Sequence, residues 1–202
     1  MGDLIVPCAC EPSFTGPFPP PPGHPGRVIV STARLDLHPV PLPLIEALLD
    51  GDLVRAGRLA PYPVTAETFR GDGYVLRLRR DQLMADPDAL PWLYRAAVLR
   101  GTGEVVARAG LHAPPDADGT VEIGYRVAPA HRRQGLAGEI ARGLLDWAAS
   151  AGARRALGST SPDNLASQAV LARLGFVRTG AQWDDEDGLE WVFEVWTGPP
   201  GH

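Results

Sequence analysis

The stretch from Thr120 to Thr160 constrains the fold most. Thr120–Val127 (TVEIGYRV) sets Val121, Ile123, Tyr125 and Val127 at alternate positions, the period-two pattern of a strand. The loop Ala128–Gly135 follows, then a helix to about Ser150. In that helix Leu136, Ile140, Leu144 and Trp147 recur at helical spacing, with Glu139, Arg142 and Asp146 opposite. Gly152 ends the helix and Arg154–Thr160 reads as a second strand. Strand, helix and strand in succession make a parallel βαβ unit, which needs further strands beside it to complete a sheet.

Those strands are legible on both sides. Ala33–Val40 alternates Leu35 and Leu37 against Asp36 and His38. Leu42–Leu49 is a short helix, with Leu44, Ile45, Leu48 and Leu49 on one face. Gly51–Gly73 is mixed and punctuated by Pro. Arg77–Ala85 reads as helical and stops before Pro87. Trp92–Arg100 and Glu104–Leu111 form a hairpin across Gly101-Thr102-Gly103. After the βαβ unit, Ser161-Pro162 opens another helix, with Ser161 as N-cap and Pro162 at the first helical position. It runs to Leu174, where Gly175-Phe176 fits a left-handed stop. Phe176–Trp183 and Glu190–Trp196 make a last hairpin across Asp184–Gly188. The expected class is α/β: one mixed sheet with the parallel βαβ unit at its centre.

Composition bounds the rest. The 202 residues suit one domain with an appendage, and a hydrophobic fraction of 45% allows a sizeable core. Residues 1–27 stand apart: Pro17–Gly26 is a polyproline-like run that joins neither sheet nor helix. It serves as a flexible tail or as a PxxP-type docking segment. The folded domain is expected over 28–197, with a short tail at 198–202. Cys8 and Cys10 form a CxC without a second pair, so a zinc site lacks ligands and free thiols are the plainer reading. No metal is expected. The net charge of -5 argues against general nucleic-acid binding. No run is apolar enough for a membrane span, and the N-terminus lacks a basic signal region. The expected location is the cytoplasm.

The chemistry concentrates where the first strand of the βαβ unit meets its helix. Arg132-x-x-Gly135-x-Ala137 sits at a helix N-terminus, which presents free N–H groups and a positive dipole end. Gly135 and Ala137 let backbone approach a ligand, and Arg132 and Arg133 add charge. This composes an anion or pyrophosphate cradle, without a Walker loop or a GxGxxG fingerprint. The bland alternative is a helix start with a small-residue packing face. Asn164 is a second marker. The chain carries 19 Arg, no Lys and this single Asn, a bias that leaves Asn where it is needed.

With Asn164-x-x-Ser167 and Leu174-Gly175-Phe176 added, the chain resembles the GNAT superfamily of acetyl-CoA-dependent N-acetyltransferases over roughly Thr32–Val195. It is most similar to the branch that acetylates ribosomal-protein N-termini, the Rim-type branch. That branch shares the T-x-R-L-x-L strand (Thr32, Arg34, Leu35, Leu37) and the E-I-G-Y strand (Glu122, Ile123, Gly124, Tyr125). The resemblance implies that the backbone of Arg132, Arg133, Gln134, Gly135, Leu136, Ala137 and Gly138 holds the CoA pyrophosphate. It implies that the strand end Tyr125–Val127 pairs with the pantetheine arm, that Asn164 bonds the pantetheine and that Ser167 lies beside the cofactor. Asn164 could instead simply cap a helix. A homodimer is compatible with the resemblance.

Two departures bear on mechanism. Many members have Tyr seven residues after the motif Asn, as a general acid; here that residue is Leu171. Where some carry a Glu base on the preceding strand, this chain has Ser159. Glu122, directly or across one water, is the remaining candidate base, unless it is only a surface carboxylate. With weak base candidates, an α-amine of pKa about 8 is an easier acceptor than a lysine of about 10.4. The acidic run Asp184–Asp187 either attracts a cationic amine or is a solvated turn. The expected activity is acetyl transfer to a primary amine by direct attack, on a protein N-terminus or a small molecule. A non-catalytic CoA-binding module is the alternative. The acceptor pocket is expected on Leu48–Gly73 and the Asp184–Gly188 turn.

Overall fold

Alternation in TVEIGYRV becomes the centre of the molecule. The computed structural model describes residues 28–184 and 188–197. The Pro-rich tail, Cys8 and Cys10, the tail at 198–202 and Asp185–Asp187 of the acidic run lie outside the described residues. In chain order the elements are β1 (Val30–Ser31), β2 (Leu35–Pro39), α1 (Leu42–Leu49), α2 (Leu53–Leu59), α3 (Gly73–Ala85), β3 (Arg95–Leu99), β4 (Val105–Leu111), β5 (Thr120–Val127), α4 (Leu136–Ser150), β6 (Arg155–Thr160), α5 (Leu165–Arg173), β7 (Val177–Asp184) and β8 (Gly188–Trp196).

The strands form one mixed sheet in the order β1-β2-β3-β4-β5-β6-β8-β7. Only β5 and β6 run parallel, joined through α4; every other neighbouring pair is antiparallel. The expected α/β class and central βαβ unit are therefore present. Period two distributes the strand residues to two cores. Val121, Ile123 and Val127 of β5 and Ala97 of β3 face Ile140 and Leu144 of α4. Ala96 and Val98 of β3 face Leu44 and Ile45 of α1 and Leu76 and Leu83 of α3. Burying Ile140 and Leu144 completely contributes about 1.5–3 kcal/mol each. None of the described helices is long and apolar enough to cross a membrane.

Several boundaries differ from expectation. The first expected strand, Ala33–Val40, shortens to β2, and β1 precedes it across a tight turn where Thr32 and Leu35 bond each other through backbone and side chain; β3 begins at Arg95 rather than Trp92. The Pro-punctuated segment contains α2, capped by the Asp52 carboxylate accepting from the Arg55 N–H, and α3 begins at Gly73 rather than Arg77. α5 begins three residues later than Ser161-Pro162 suggests. Its N-cap is Asn164, whose side chain accepts from the Ser167 N–H at 3.1 Å.

The sheet opens at its middle. β5 and β6 pair at Thr120↔Arg155, Val121↔Ala156 and Glu122↔Leu157. Beyond Glu122, β5 continues only with β4, from Ile123↔Leu111 to Ala107↔Val127. Beyond Leu157, β6 continues only with β8. The side chain of Leu171 on α5 packs behind this opening: a Cβ on Gly158 would lie 2.9 Å from its Cδ2.

Candidate functional site

A groove of ≈ 630 Å³ runs from the opened strands along the N-termini of α4 and α5. That volume lies in the range typical of small-molecule sites. Tyr125, Val127, Arg132, Arg133, Gly135, Leu136, Ala137, Gly138, Asn164 and Ser167 all line it. Residues far apart in sequence are brought together as expected. Gln134 alone of the expected cradle is not on the wall. Its side chain turns to the Ala130 carbonyl, and its own carbonyl accepts from the Arg34 guanidinium at 3.1 Å.

The cradle's shape follows from two left-handed residues. Gly135 (φ 77°) precedes α4, and Arg133 (φ 59°) is the only described non-Gly residue with positive φ. For Arg that conformation costs about 1–2 kcal/mol. Such a turn points successive N–H groups into one concavity. No side chain caps α4, so its first N–H groups stay available to an anion. A Cβ placed on Gly138 would meet nothing within 4 Å, so the groove stays open there.

The α4 N-terminus is held from outside by the T-x-R-L turn. Glu139 accepts from the Thr32 hydroxyl at 2.6 Å, from the Arg34 N–H at 2.7 Å and from Arg34 Nε at 2.6 Å. Burial pushes the Glu139 carboxyl up, but these donors outweigh it and hold it below 4.5. The Thr32 methyl lies where a Cβ on Gly143 would be, at 2.6 Å, so this helix face needs Gly.

Beside the groove, and sharing Tyr125 and Ser167 with it, a small cavity is walled by His112, Ser159 and Glu190, members of a partly buried polar cluster. Glu122 accepts from the Ser159 hydroxyl at 2.8 Å, and His112 Nδ1 lies 3.4 Å from its second oxygen. Arg79 of α3 donates to the His112 carbonyl at 2.7 Å. Burial pushes the Glu122 carboxyl up, but the His112 ring, the Ser159 hydroxyl and the Arg79 guanidinium hold it below 4.5. Burial lowers Arg79 to about 10, still protonated at neutral pH. Glu122 is thus a half-buried carboxylate with protein partners, its side chain 15% exposed. The cluster extends through Gln182 to Glu190, which is buried. Sequence inspection did not single out His112, Arg79, Gln182 or Glu190 as site residues. They come from separate elements, and only their alternation with core residues marks them.

The segment expected to bear the acceptor pocket is tied to the sheet by Asp72. Its carboxylate takes a bond from the Tyr94 hydroxyl at 2.6 Å and pairs with Arg108 Nε at 2.7 Å. Among the described residues, no group of three or more His, Cys, Asp or Glu is placed to hold a metal ion.

Residues 54–177 match the family described as acetyltransferase (GNAT) domain. A Bacillus subtilis (strain 168) protein named "Uncharacterized N-acetyltransferase YjdG" is 30% identical over 152 residues, covering 74% of this chain and 90% of its own length. Among solved structures, ribosomal-protein-S5-alanine acetyltransferase from Vibrio fischeri superposes with a TM-score of 0.58 at 17% identity, over 84% of this chain and 97% of that one. Mycobacterium smegmatis RimJ, in complex with CoA-disulfide, does so with a TM-score of 0.57 at 20% identity, over 84% and 85%. At such identities these structures show a shared fold.

Proposed function

The chain belongs to the GNAT acetyltransferase family, and from that membership we propose that it transfers acetyl from acetyl-CoA to a primary amine by direct attack in a ternary complex. The unit doing so runs over residues 28–197. The observation that carries this reading is the placement of Glu122. It is the last residue of β5 paired to β6, it is bonded to Ser159, which lines a small cavity sharing Tyr125 and Ser167 with the groove, and it is held as a carboxylate.

The residues divide the work. The uncapped N–H groups of α4, with Arg132 and Arg133, take the pyrophosphate. Where β5 no longer pairs with β6, the strand offers backbone groups to the pantetheine amides and an N–H to the thioester carbonyl. Asn164 already uses its carbonyl oxygen as a cap, so it meets the pantetheine as an amide donor. The amine nitrogen attacks the thioester carbon; the C–N bond forms, the C–S bond breaks and CoA leaves as its thiolate, which takes a proton from water. Glu122 receives the ammonium proton, directly or across one water, with Ser159 orienting its carboxylate. Because Glu122 is a weak base, amines of low pKa suit it, an α-amine above a lysine side chain.

Leu171 supports a second reading. It is buried, on the wall of the small cavity beside the groove, and has no proton for a leaving thiolate, as a non-catalytic CoA-binding module would allow. A thiol-release assay separates the two. Acetyl-CoA is offered with peptides bearing a free α-amine, peptides with a blocked terminus and a free lysine, and small polyamines. Release with the free α-amine is the expected result. CoA binding in calorimetry, with no release from any amine, overturns transfer in favour of the binding module.

A further inference from the structure

Gln182 and Glu190 face each other as a cross-strand pair between β7 and β8. Gln182 Nε2 lies 3.1 Å from Glu190 Oε2 and 3.2 Å from Ser159 Oγ. Ser159 Oγ in turn lies 2.8 Å from Glu122 Oε1. A carboxylate only accepts, so Glu190 draws the NH2 end of the Gln182 amide. An amide nitrogen only donates, so Ser159 accepts from it. The one Ser159 proton is then left for Glu122. We infer that Glu190 is a positioning residue: through Gln182 it fixes the polarity of the Ser159 hydroxyl, and so keeps that proton on Glu122.

The other groups facing Glu122 do not set this direction. His112, following β4, and Arg79, from α3, approach without touching Ser159. Glu190 is buried, so water is a poor substitute for its role in the chain of bonds. For turnover the inference rests on the reading of Glu122 as proton acceptor; for the ionisation of Glu122 it stands alone.

Exchanging the pair tests it. In the double variant Glu190→Gln with Gln182→Glu, the amide donates to the carboxylate in the opposite sense, so shape, net charge and the cross-strand bond persist. Position 182 now offers Ser159 an acceptor, and the hydroxyl proton turns away from Glu122. The readout is carbon NMR of carboxyl-labelled glutamates in the full chain, with Glu122 assigned by signal loss in Glu122→Gln. The titration midpoint of Glu122 is expected to rise by about one pH unit, the size of one lost donor to a carboxylate. Glu190→Gln alone, which removes the carboxylate that draws the Gln182 NH2, gives an intermediate midpoint. A wild-type midpoint in both variants overturns the inference. So does an equal rise when the exchange is made in a Ser159→Ala background, because charge relocation then explains it. A higher midpoint makes Glu122 a stronger base that is still ionised at neutral pH, so the kcat of the double variant is expected to stay at or above wild type. A wild-type chain that releases no thiol sinks acetyl transfer but leaves the titration result intact.

Discussion

The Asn164 carbonyl oxygen accepts the Ser167 N–H at 3.1 Å, so the lone Asn of the chain caps α5 while lining the groove. Capping and the proposed cofactor contact are therefore not rival roles. They use different atoms.

Asn164→Asp separates them. A carboxylate still caps, so the melting temperature should stay near wild type, while CoA affinity falls because the donor is gone. Asn164→Ala should lose both, with about 1 kcal/mol of stability. Thermal melts and calorimetry with CoA check this. Unchanged affinity in Asn164→Asp would remove Asn164 from the cofactor site.

Gly138→Leu should block the groove without harming the fold. A Cβ there meets nothing within 4 Å outside its own helix turn, and replacing Gly inside α4 adds up to about 1 kcal/mol of helix stability. CoA affinity should drop at least about tenfold at an unchanged or higher melting temperature. Tight CoA binding to this variant would mean the cofactor lies elsewhere.

Glu122→Gln should lower kcat by about 10²–10³ and leave the KM for acetyl-CoA nearly constant. The amide keeps the shape and the bond from Ser159 but cannot take a proton. Steady-state thiol release measures both parameters. A kcat within twofold of wild type would leave Glu122 as structure only.

Acid should unfold the chain partly through Glu139. Its folded pKa lies below its unfolded value of 4.5. Its stabilisation is therefore present above about pH 4.5 and is lost as pH falls through the folded value. Glu139→Gln should melt lower than wild type at pH 7 and show a smaller drop between about pH 5 and pH 3.5. Thermal melts across that range check it, and an undiminished drop would count against the Arg34 and Thr32 contacts.

The sheet and the cradle were legible because they depend on local pattern. Alternation in Thr120–Val127 and helical spacing in Leu136–Trp147 both reflect burial on one face, and burial is what the structure shows. The start of α5 was not legible. Ser161-Pro162 has the residue types of a helix opening, but tertiary placement of β6 carries the chain onward and Asn164 takes the cap. α2 was hidden among prolines and has a single buried residue, Ala56, so it leaves almost no periodic signal. The partly buried cluster of His112, Glu122, Ser159, Gln182 and Glu190 draws on separate strands and the loop after β4. Its members meet only because β5 and β6 part after Glu122, a feature of pairing register that no residue type announces.

Two-substrate initial-rate kinetics test the central claim most directly. Acetyl-CoA and a lysine-free peptide with a free α-amine are varied together, with thiol release followed and the acetylated position read by mass spectrometry. Direct attack in a ternary complex predicts double-reciprocal lines that intersect and acetyl on the α-amine alone. Parallel lines, or no acetylated peptide while CoA still binds the groove, would contradict it.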